Sequence, residues 1–205
     1  MRKDINHHTL LLNYLIEKHD LKSYLELGVQ NPANNFYKIN TKFKHAVDPC
    51  LSDRERVWVE PAMKWFFSMT SDKYFSPNNP VMVGNNYDLI FIDGDHTKEQ
   101  VKRDFNNSLR CLNPNGFIVI HDTLPLNEQG TRVPRETKQW WGDVYKFAFE
   151  LNLYPGIDFC TYDFDNGCTV VWKTDKDLSI MQLPEVDYEF YLNNKHLLRI
   201  RDCVD

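Results

Sequence analysis

The segment 87–93, YDLIFID, constrains the fold of this chain more than any other. It is a nearly continuous apolar run that ends in an acid and is followed by a glycine. A run of this length without alternating polar positions predicts a strand that is buried on both faces of a sheet. An amphipathic helix over residues 97–112 and a second apolar strand over 117–120 come next. This alternation is typical of a parallel sheet covered by helices on both faces.

The preceding part of the chain extends the same pattern. Short apolar runs predict strands at 23–28, 44–48 and 64–69, and an apolar stripe predicts a helix at 9–18. The turn 113–116, NPNG, should end the central helix, because glycine supplies a left-handed cap and proline cannot continue a helix.

The C-terminal part changes character. A helix is predicted at 142–151, and apolar strands at 159–162 and 168–172 flank a turn that contains Asn166-Gly167. Because Asn-Gly is a strong hairpin signal, these two strands should pair in antiparallel fashion. The tail, residues 187–201, is predicted to be a final helix.

Composition narrows the functional classes. The net charge of -5 disfavours nucleic acid as a main partner, and no apolar run is long enough to span a membrane. The N-terminal residues lack the apolar core and cleavage site of a signal peptide. The five cysteines include no CxxC pair, so structural zinc is disfavoured and a reduced, cytoplasmic location is expected. The adjacent His7 and His8 could indicate a metal site or a tag, but adjacent histidines are usually surface residues, and they are interpreted as such.

Polar residues follow each strand of the predicted parallel sheet. They are Glu26 with Gly28, Asp48, Ser71 with Asp72, Asp93, and His121 with Asp122. In open parallel sheets, ligands bind beyond the carboxyl ends of the strands, so these residues should face one ligand. The alternative for each is that it caps the helix that follows its strand.

Glu26 and Asp48 suggest a nucleoside ligand. A carboxylate about 20 residues after a glycine turn can accept hydrogen bonds from ribose hydroxyls. The segment 28–32, GVQNP, carries one glycine where dinucleotide binders carry three, and the chain contains no GxxxxGK[ST] motif. We therefore expect a cofactor that has a nucleoside but no pyrophosphate.

Several segments together resemble a known family. They are YLELGVQNP, HAVDP, FFSMTSDKYF, YDLIFIDGDHTKEQVKRDFNNSLRCLNPNGFIVIHDT and WWGDVYKFAFEL. The chain resembles the class I S-adenosylmethionine-dependent methyltransferases, and among these the family 24 group, which is often found with sugar, capsule and natural-product pathways. The resemblance runs from about residue 24 to residue 172.

The resemblance implies a fold and a cofactor site. The fold is α/β: a Rossmann-like, doubly wound, mostly parallel sheet of seven strands with a C-terminal antiparallel hairpin. One domain over 1–205 is expected, with its core at about 20–175 and a helical tail at about 185–205. The implied S-adenosylmethionine contacts are Glu26 and Gly28 on the methionine side, Asp48 on the ribose, Ser71 and Asp72 beside the adenine, and Asp93.

The catalytic candidates are Asp93, Asp95, His96, His121 and Asp122. A histidine could deprotonate an acceptor hydroxyl, or a divalent cation held by carboxylates could lower the pKa of that hydroxyl. Asp93 and Asp122 end neighbouring predicted strands, so they could bind one Mg²⁺ or Mn²⁺. Thr123 stands where related metal-dependent enzymes carry a third acidic or amide ligand, and both routes stay open.

The polar segment 127–141, NEQGTRVPRETKQWW, is a candidate lid over the acceptor. Arg132 and Arg135 could grip a phosphate or carboxylate, and Trp140 or Trp141 could stack on a sugar ring. The alternative is a solvated loop whose tryptophans pack inward. Asp143 and Lys146 are further site candidates.

The sequence therefore predicts an S-adenosylmethionine-dependent O-methyltransferase that acts on a small polar acceptor, such as a sugar, a glycan precursor or a natural product. The alternative is a non-catalytic nucleoside-binding or assembly protein of the same fold. No nucleic-acid or membrane partner is expected. The aromatic residues of the tail, Tyr188, Phe190 and Tyr191, would allow a homodimer.

Overall fold

A computed structural model describes residues 7–50, 64–80, 85–180 and 182–202. The strands are β1 (Ser23–Leu27), β2 (Phe43–Val47), β3 (Lys64–Phe67), β4 (Tyr87–Ile92), β5 (Leu112–Ile120), β6 (Ile157–Tyr162), β7 (Cys168–Lys173) and β8 (Ile200–Arg201). The α-helices are α1 (His8–His19), α2 (Ser71–Tyr74), α3 (Lys98–Cys111), α4 (Val144–Glu150) and α5 (Tyr188–Asn193). Short 3₁₀ helices lie at Phe36–Lys38, Gln129–Thr131, Leu151–Leu153 and Lys195–Leu198.

The strands form one sheet in the order β3-β2-β1-β4-β5-β7-β6-β8. The pairs among β1 to β5 are parallel, whereas β7 is antiparallel to both β5 and β6. The chain winds outward from β1 to β3 and then returns to place β4 beside β1, so the strand order reverses between these two. The predicted doubly wound α/β fold is confirmed, and the tail adds an eighth strand to the seven expected.

Alternating side chains of the central strands enter two separate cores. Leu25, Ile90 and Ile118 face a core that also contains Phe105 of α3 and Phe147 of α4. The intervening residues face the other core, where α1 packs; they include Tyr24, Leu89, Phe91 and Val119. Burial on both faces explains why these strands carry continuous apolar runs.

The junction between α3 and β5 differs from the prediction. The helix ends at Cys111, β5 begins at Leu112, and Gly116 does not have the left-handed conformation of a helix cap. A Cβ atom on Gly116 would lie 2.7 Å from the Asp88 carbonyl oxygen. Glycine is therefore needed here for close approach of two backbones and not for ending the helix.

The tail was predicted to be one helix, and this is wrong. Helix α5 ends at Asn193, and after a 3₁₀ turn Arg199 takes a left-handed conformation that directs β8 along β6. Tyr191 is buried against Tyr145 and Phe149 in a third apolar cluster. The aromatic residue at the centre of the expected dimer surface is thus covered by the chain itself, and the homodimer remains a prediction.

The helices of the described ranges include none with both the length and the apolar character needed to cross a membrane.

The sheet edge at which β1, β2, β4 and β5 end is the feature that positions the site.

Gly28 should be essential to this edge. It has a φ of +84°, and a Cβ atom there would lie 2.1 Å from the Asp93 carbonyl oxygen. We expect Gly28→Ala to lower the free energy of unfolding by about 3 kcal/mol or more, through left-handed strain and steric overlap. Gly156→Ala is the matched control, because Gly156 is also left-handed but a Cβ atom there would meet the Thr174 carbonyl oxygen at an ordinary contact distance of 3.8 Å. Urea unfolding of both variants checks this, and equal losses would contradict it.

Candidate functional site

The carboxyl ends of the central strands lie side by side. Leu27 pairs with Val47 and with Ile92, and Ile92 pairs with Ile120. Backbone hydrogen bonds continue one residue beyond the strands, from the Gly28 amide to Val47 and from the Asp93 amide to Leu27. Because the strand order reverses between β1 and β4, this edge is the switch point at which ligands bind in such sheets.

Asp48 organises the loop that follows β1. Its Oδ2 accepts hydrogen bonds from the amides of Val29 (2.9 Å) and Gln30 (2.8 Å), and its Oδ1 accepts one from the amide of Cys50 (2.7 Å). A carboxylate offers about four acceptor positions, so three are committed to the backbone. The expected ribose contact remains a prediction, and the structure adds a role in shaping the loop.

Glu26 belongs to a buried polar network. It is 2% exposed and accepts hydrogen bonds from the Tyr24 hydroxyl (2.6 Å) and the Asn35 amide (2.9 Å). The Asn35 carbonyl oxygen in turn accepts one from the Thr9 hydroxyl (2.8 Å), which connects α1 to β1. Burial raises the pKa of Glu26 to about 8. Its side chain therefore lies in the protein interior, against Tyr24 and Asn35.

Ser71 and Asp72 lie in the first turn of α2, beyond the end of β3. The Ser71 hydroxyl accepts a hydrogen bond from the Gln100 amide (3.1 Å), and Asp72 lies 3.5 Å from Arg103. Both residues thus contact α3, and their expected place beside an adenine is not tested by these contacts.

Asp93, His96, His121 and Asp122 converge beyond β4 and β5, and we call them the Asp–His cluster. His96 Nε2 lies 3.6 Å from Asp93 Oδ1, and His96 Nδ1 lies 3.2 Å from Asp122 Oδ2. His121 Nδ1 is 3.2 Å from Asp93 Oδ1 and 3.4 Å from Asp122 Oδ1. The sequence placed these four residues at one edge, and the structure brings them into contact.

Two other candidates lie outside this cluster. Asp95 is exposed and accepts a hydrogen bond from the Thr97 amide, so it serves the turn before α3. Thr123 is fully buried, and its hydroxyl accepts a hydrogen bond from the Thr169 hydroxyl (2.9 Å). Its hydroxyl is therefore engaged by β7 and does not belong to the donor set of the cluster.

The charges of the cluster shift its pKa values in opposite directions. Burial alone would raise the pKa of Asp93, but the neighbouring His121 and His96 hold it well below its usual range. Burial raises the pKa of Asp122 to about 6, which His121 partly opposes. For both histidines burial favours the neutral ring, yet the carboxylates outweigh it and raise the pKa of each. Each histidine of the cluster therefore binds a proton more readily than a free imidazole does, and each lies beside carboxylates. Groups with shifted pKa values in such an arrangement are suited to acid–base chemistry.

Asp122 also has an unusual backbone. Its φ is +59°, in the left-handed region that residues other than glycine rarely adopt. Such conformations cost about 1–3 kcal/mol and are concentrated at functional sites. The left-handed turn directs the Asp122 carboxylate back toward His96.

The segment 127–142 lies over the Asp–His cluster. The Trp140 ring stacks on His96, with ring centres 5.3 Å apart and planes 13° apart, and His96 Nδ1 is 3.0 Å from the Trp140 carbonyl oxygen. Arg135 lies 5.7 Å from the Trp140 ring centre, and Trp141 is buried. Of the two expected aromatic residues, Trp140 is thus at the site and Trp141 is an anchor.

A surface cavity of about 490 Å³ adjoins this segment. Its walls include Glu128, Arg132, Asp143, Lys146 and Tyr188. The Asp143 amide donates a hydrogen bond to the His96 carbonyl oxygen (3.1 Å), so one residue of the cavity wall contacts the backbone of the cluster.

Sequence reasoning missed His8 and Asp165. Asp165 lies in the turn between β6 and β7, and its Oδ2 is 3.5 Å from His121 Nε2. It accepts a hydrogen bond from the His8 amide (2.9 Å), and His8 Nδ1 lies 2.6 Å from it. The interpretation of both N-terminal histidines as surface residues is wrong for His8, whose side chain is 14% exposed. The only sequence signal was the adjacency of two histidines.

Comparisons with known proteins identify the family of this chain. Residues 18–123, just over half of the chain, match the profile of a family described as a methyltransferase domain, family 24. The chain belongs to this methyltransferase family. The resemblance of its sequence to class I S-adenosylmethionine-dependent methyltransferases is thereby confirmed.

One curated relative and several solved structures are similar to this methyltransferase. It is 28% identical over 118 residues to the uncharacterized protein R132 of Acanthamoeba polyphaga mimivirus. That match covers 52% of this chain and 53% of the viral protein, so the chain spans about half the length of this relative.

Three solved structures share the fold. The Podospora anserina methyltransferase PaMTH1, bound to S-adenosylhomocysteine, has a TM-score of 0.59 and 18% identity, covering 82% of this chain and 78% of that one. The O-methyltransferase TomG from Streptomyces achromogenes, bound to S-adenosylmethionine, has a TM-score of 0.59 and 14% identity, and the match covers 82% of this chain and 79% of that one. A Bacillus cereus O-methyltransferase bound to S-adenosylhomocysteine has a TM-score of 0.58 and 12% identity, and the match covers 82% of this chain and 80% of that one.

The pKa of Glu26 predicts a pH dependence of stability. Since its folded-state pKa of about 8 exceeds its ordinary value of 4.5, its contribution is complete below the lower value and is lost as the pH rises through the higher one. We expect the free energy of unfolding of the wild-type protein to fall by a few kcal/mol between about pH 5 and pH 8, in proportion to the difference between the folded-state and ordinary pKa values. Glu26→Gln should make this fall smaller, because it removes one of the groups whose pKa is raised in the folded state, while the control Glu185→Gln, at an exposed position, should retain the full fall. Chemical denaturation at both pH values measures it, and identical profiles for all three proteins would disprove the assignment.

Proposed function

We propose that this methyltransferase transfers the methyl group of S-adenosylmethionine to an oxygen of a small polar acceptor, such as a sugar, a glycan precursor or a natural product. The observation that carries the proposal is the Asp–His cluster at the switch point of the sheet. It offers a proton acceptor and two carboxylates where an acceptor hydroxyl would meet a ligand lying across the strand ends. The O-methyltransferases among the structures of similar fold support the choice of oxygen.

The cofactor would lie across the ends of β1, β2 and β4. Gly28 exposes backbone at the switch point. Asp48 holds the following loop, and the donors among the described residues leave one acceptor position of its carboxylate for the ribose. Ser71 and Asp72, on α2, border the β3 side of the same edge. Glu26, neutral when its pKa of about 8 is not exceeded, would support the methionine side from beneath.

His96 is the proposed general base. Its Nδ1 lies 3.0 Å from the Trp140 carbonyl oxygen, and donation to that oxygen leaves Nε2 free to accept a proton. As the acceptor oxygen forms its bond to the methyl carbon, the carbon–sulfur bond breaks and the hydroxyl proton moves to Nε2. Asp122, 3.2 Å from Nδ1, stabilises the resulting imidazolium.

The donor set also fits a divalent cation. One ligand atom from each of Asp93, His96 and Asp122 lies within 4.8 Å of the others. When bound, such a cation would lower the pKa of the acceptor hydroxyl. The imidazole nitrogen makes the set better suited to Mn²⁺ than to Mg²⁺, which prefers oxygen ligands throughout. In that arrangement His96 would be a ligand of the cation. It could then not act as the general base, so the two roles of His96 exclude each other.

The acceptor would enter from the cavity beside the segment 127–142. Acidic, basic and phenolic groups line this cavity, which suits a polyhydroxylated molecule better than an apolar one. The stacked Trp140 would then separate the reacting atoms from solvent.

Asp48 provides the test of the cofactor assignment. Asp48→Asn should weaken S-adenosylhomocysteine binding by about 1–3 kcal/mol, because a charged acceptor is lost and the loop after β1 loosens. Asp20→Asn, an exposed substitution at the end of α1, should bind as the wild type does. Isothermal titration measures both affinities, and absence of binding by the wild type would refute the cofactor.

His96 provides the test of the chemistry. His96→Gln should retain S-adenosylhomocysteine binding but lower methyl transfer by about 100-fold or more. Transfer is measured as S-adenosylhomocysteine release over a panel of sugars, phenols and amines, with the methylated atom identified by mass spectrometry. The control His19→Gln, at the far end of α1, should transfer at the wild-type rate.

Chelator treatment separates the two routes. Loss of transfer with EDTA and recovery with Mn²⁺ would assign the metal route, and unchanged transfer would assign the free base. Cofactor binding without transfer to any acceptor class would instead favour the non-catalytic alternative.

A further inference from the structure

A second group of metal-ligating side chains lies beside the Asp–His cluster. It consists of His7, His8 and Asp165, which we call the N-terminal histidine cluster. His8 and Asp165 are 157 residues apart in the chain, and the fold brings the start of α1 against the turn between β6 and β7. One potential ligand atom from each of the three residues lies within 4.8 Å of the others.

The carboxylate of Asp165 is the centre of this cluster. Its Oδ2 is 2.6 Å from His8 Nδ1 and 3.9 Å from His7 Nε2. The same oxygen accepts a hydrogen bond from the His8 amide at 2.9 Å, which fixes the start of α1 relative to the turn.

His121 supplies an independent observation. Its Nε2 is buried and has no hydrogen-bond partner within the described ranges, although it points toward Asp165 Oδ2 at 3.5 Å. The side chain is only 9% exposed, so water does not readily satisfy this atom. An unsatisfied buried polar atom destabilises the fold, and a bound cation would remove that cost.

We infer that His7, His8, Asp165 and His121 Nε2 form a site for a zinc-type transition-metal ion, distinct from the donor set of Asp93, His96 and Asp122. Three imidazoles and one carboxylate are ligands that Zn²⁺ accepts in tetrahedral geometry. With metal–ligand distances of about 2.0–2.2 Å, tetrahedral ligand atoms lie roughly 3.3 Å apart. The three distances to Asp165 Oδ2, 2.6, 3.5 and 3.9 Å, lie on both sides of that spacing.

Binding requires two local changes. The proton shared between His8 and Asp165 leaves, and the two side chains separate slightly to admit the ion. His7 Nδ1, which accepts a hydrogen bond from the Thr9 amide at 3.2 Å, gives up this contact so that Nε2 can bind the metal. The Thr9 amide stands in the first turn of a helix, where such donors also bond to water.

The two sites differ in chemistry and are joined by one ring. The N-terminal histidine cluster is rich in nitrogen, whereas Asp93, His96 and Asp122 offer mainly oxygen. His121 Nδ1 faces the latter, and Nε2 faces the former. Zinc in the N-terminal site would thus clamp α1 to the β6–β7 turn. This inference does not depend on the proposed methyl transfer.

The test is metal binding by the full-length, metal-stripped protein. Zn²⁺ affinity is measured by isothermal titration, and Co²⁺ is titrated as a probe because its visible absorption reports tetrahedral coordination. We expect His8→Gln and Asp165→Asn each to weaken Zn²⁺ binding at least tenfold and to abolish the tetrahedral Co²⁺ spectrum. His19→Gln, on the same helix, and Asp163→Asn, in the same turn, are the matched controls and should bind as the wild type does.

A second set of variants keeps the inference falsifiable. His96→Gln should leave the tetrahedral site intact, because His96 contacts Asp93, Asp122 and Trp140 and is not one of the four ligands. Wild-type binding by His8→Gln and Asp165→Asn, or loss of the Co²⁺ spectrum only in His96→Gln, would overturn the site. Circular dichroism of the metal-free variants checks folding, and a zinc anomalous-difference map of the wild-type protein locates the ion without any substitution.

Discussion

The parallel register of β1, β2, β4 and β5 is the constraint on which the site depends. Backbone pairing ends these strands at one level, so the strand ends Leu27, Val47, Ile92 and Ile120, which are far apart in sequence, meet at one edge. Gly28 completes the arrangement, because any larger residue would push against the Asp93 carbonyl oxygen and separate β1 from β4. The position of every charged group at the edge follows from this close approach of two backbones.

Charge balance is the second feature that organises the edge. The ring of His121 lies between Asp93 and Asp122 on one side and Asp165 on the other. Three carboxylates in so small and so buried a space would repel one another strongly without a cation among them. The imidazole therefore stabilises the fold here, and both Asp122 and Asp165 have left-handed backbone.

Much of the fold was predictable because its signals are local. The apolar run of β4, the stripe of α3 and the Asn-Gly turn each fixed an element or a pairing from a few adjacent residues. The errors came where distant contacts override local preference. Gly116 serves a close approach to Asp88 and not a helix cap, and the end of the tail pairs with β6 instead of continuing as a helix.

The sequence by itself determined the α/β class, the methyltransferase family and the polar strand ends, because burial periodicity and strand-end chemistry are written in neighbouring residues. Only the tertiary structure decided which of those polar groups touch. In the folded chain Asp48 bonds to the loop after β1, and Glu26 is buried. The Thr123 hydroxyl bonds to Thr169 of β7, and the Trp140 ring stacks on His96. The tertiary structure also joined His8 to Asp165 across the chain. Such contacts depend on how helices and turns pack onto the sheet, and side-chain distances of a few ångströms leave no periodic trace in a sequence.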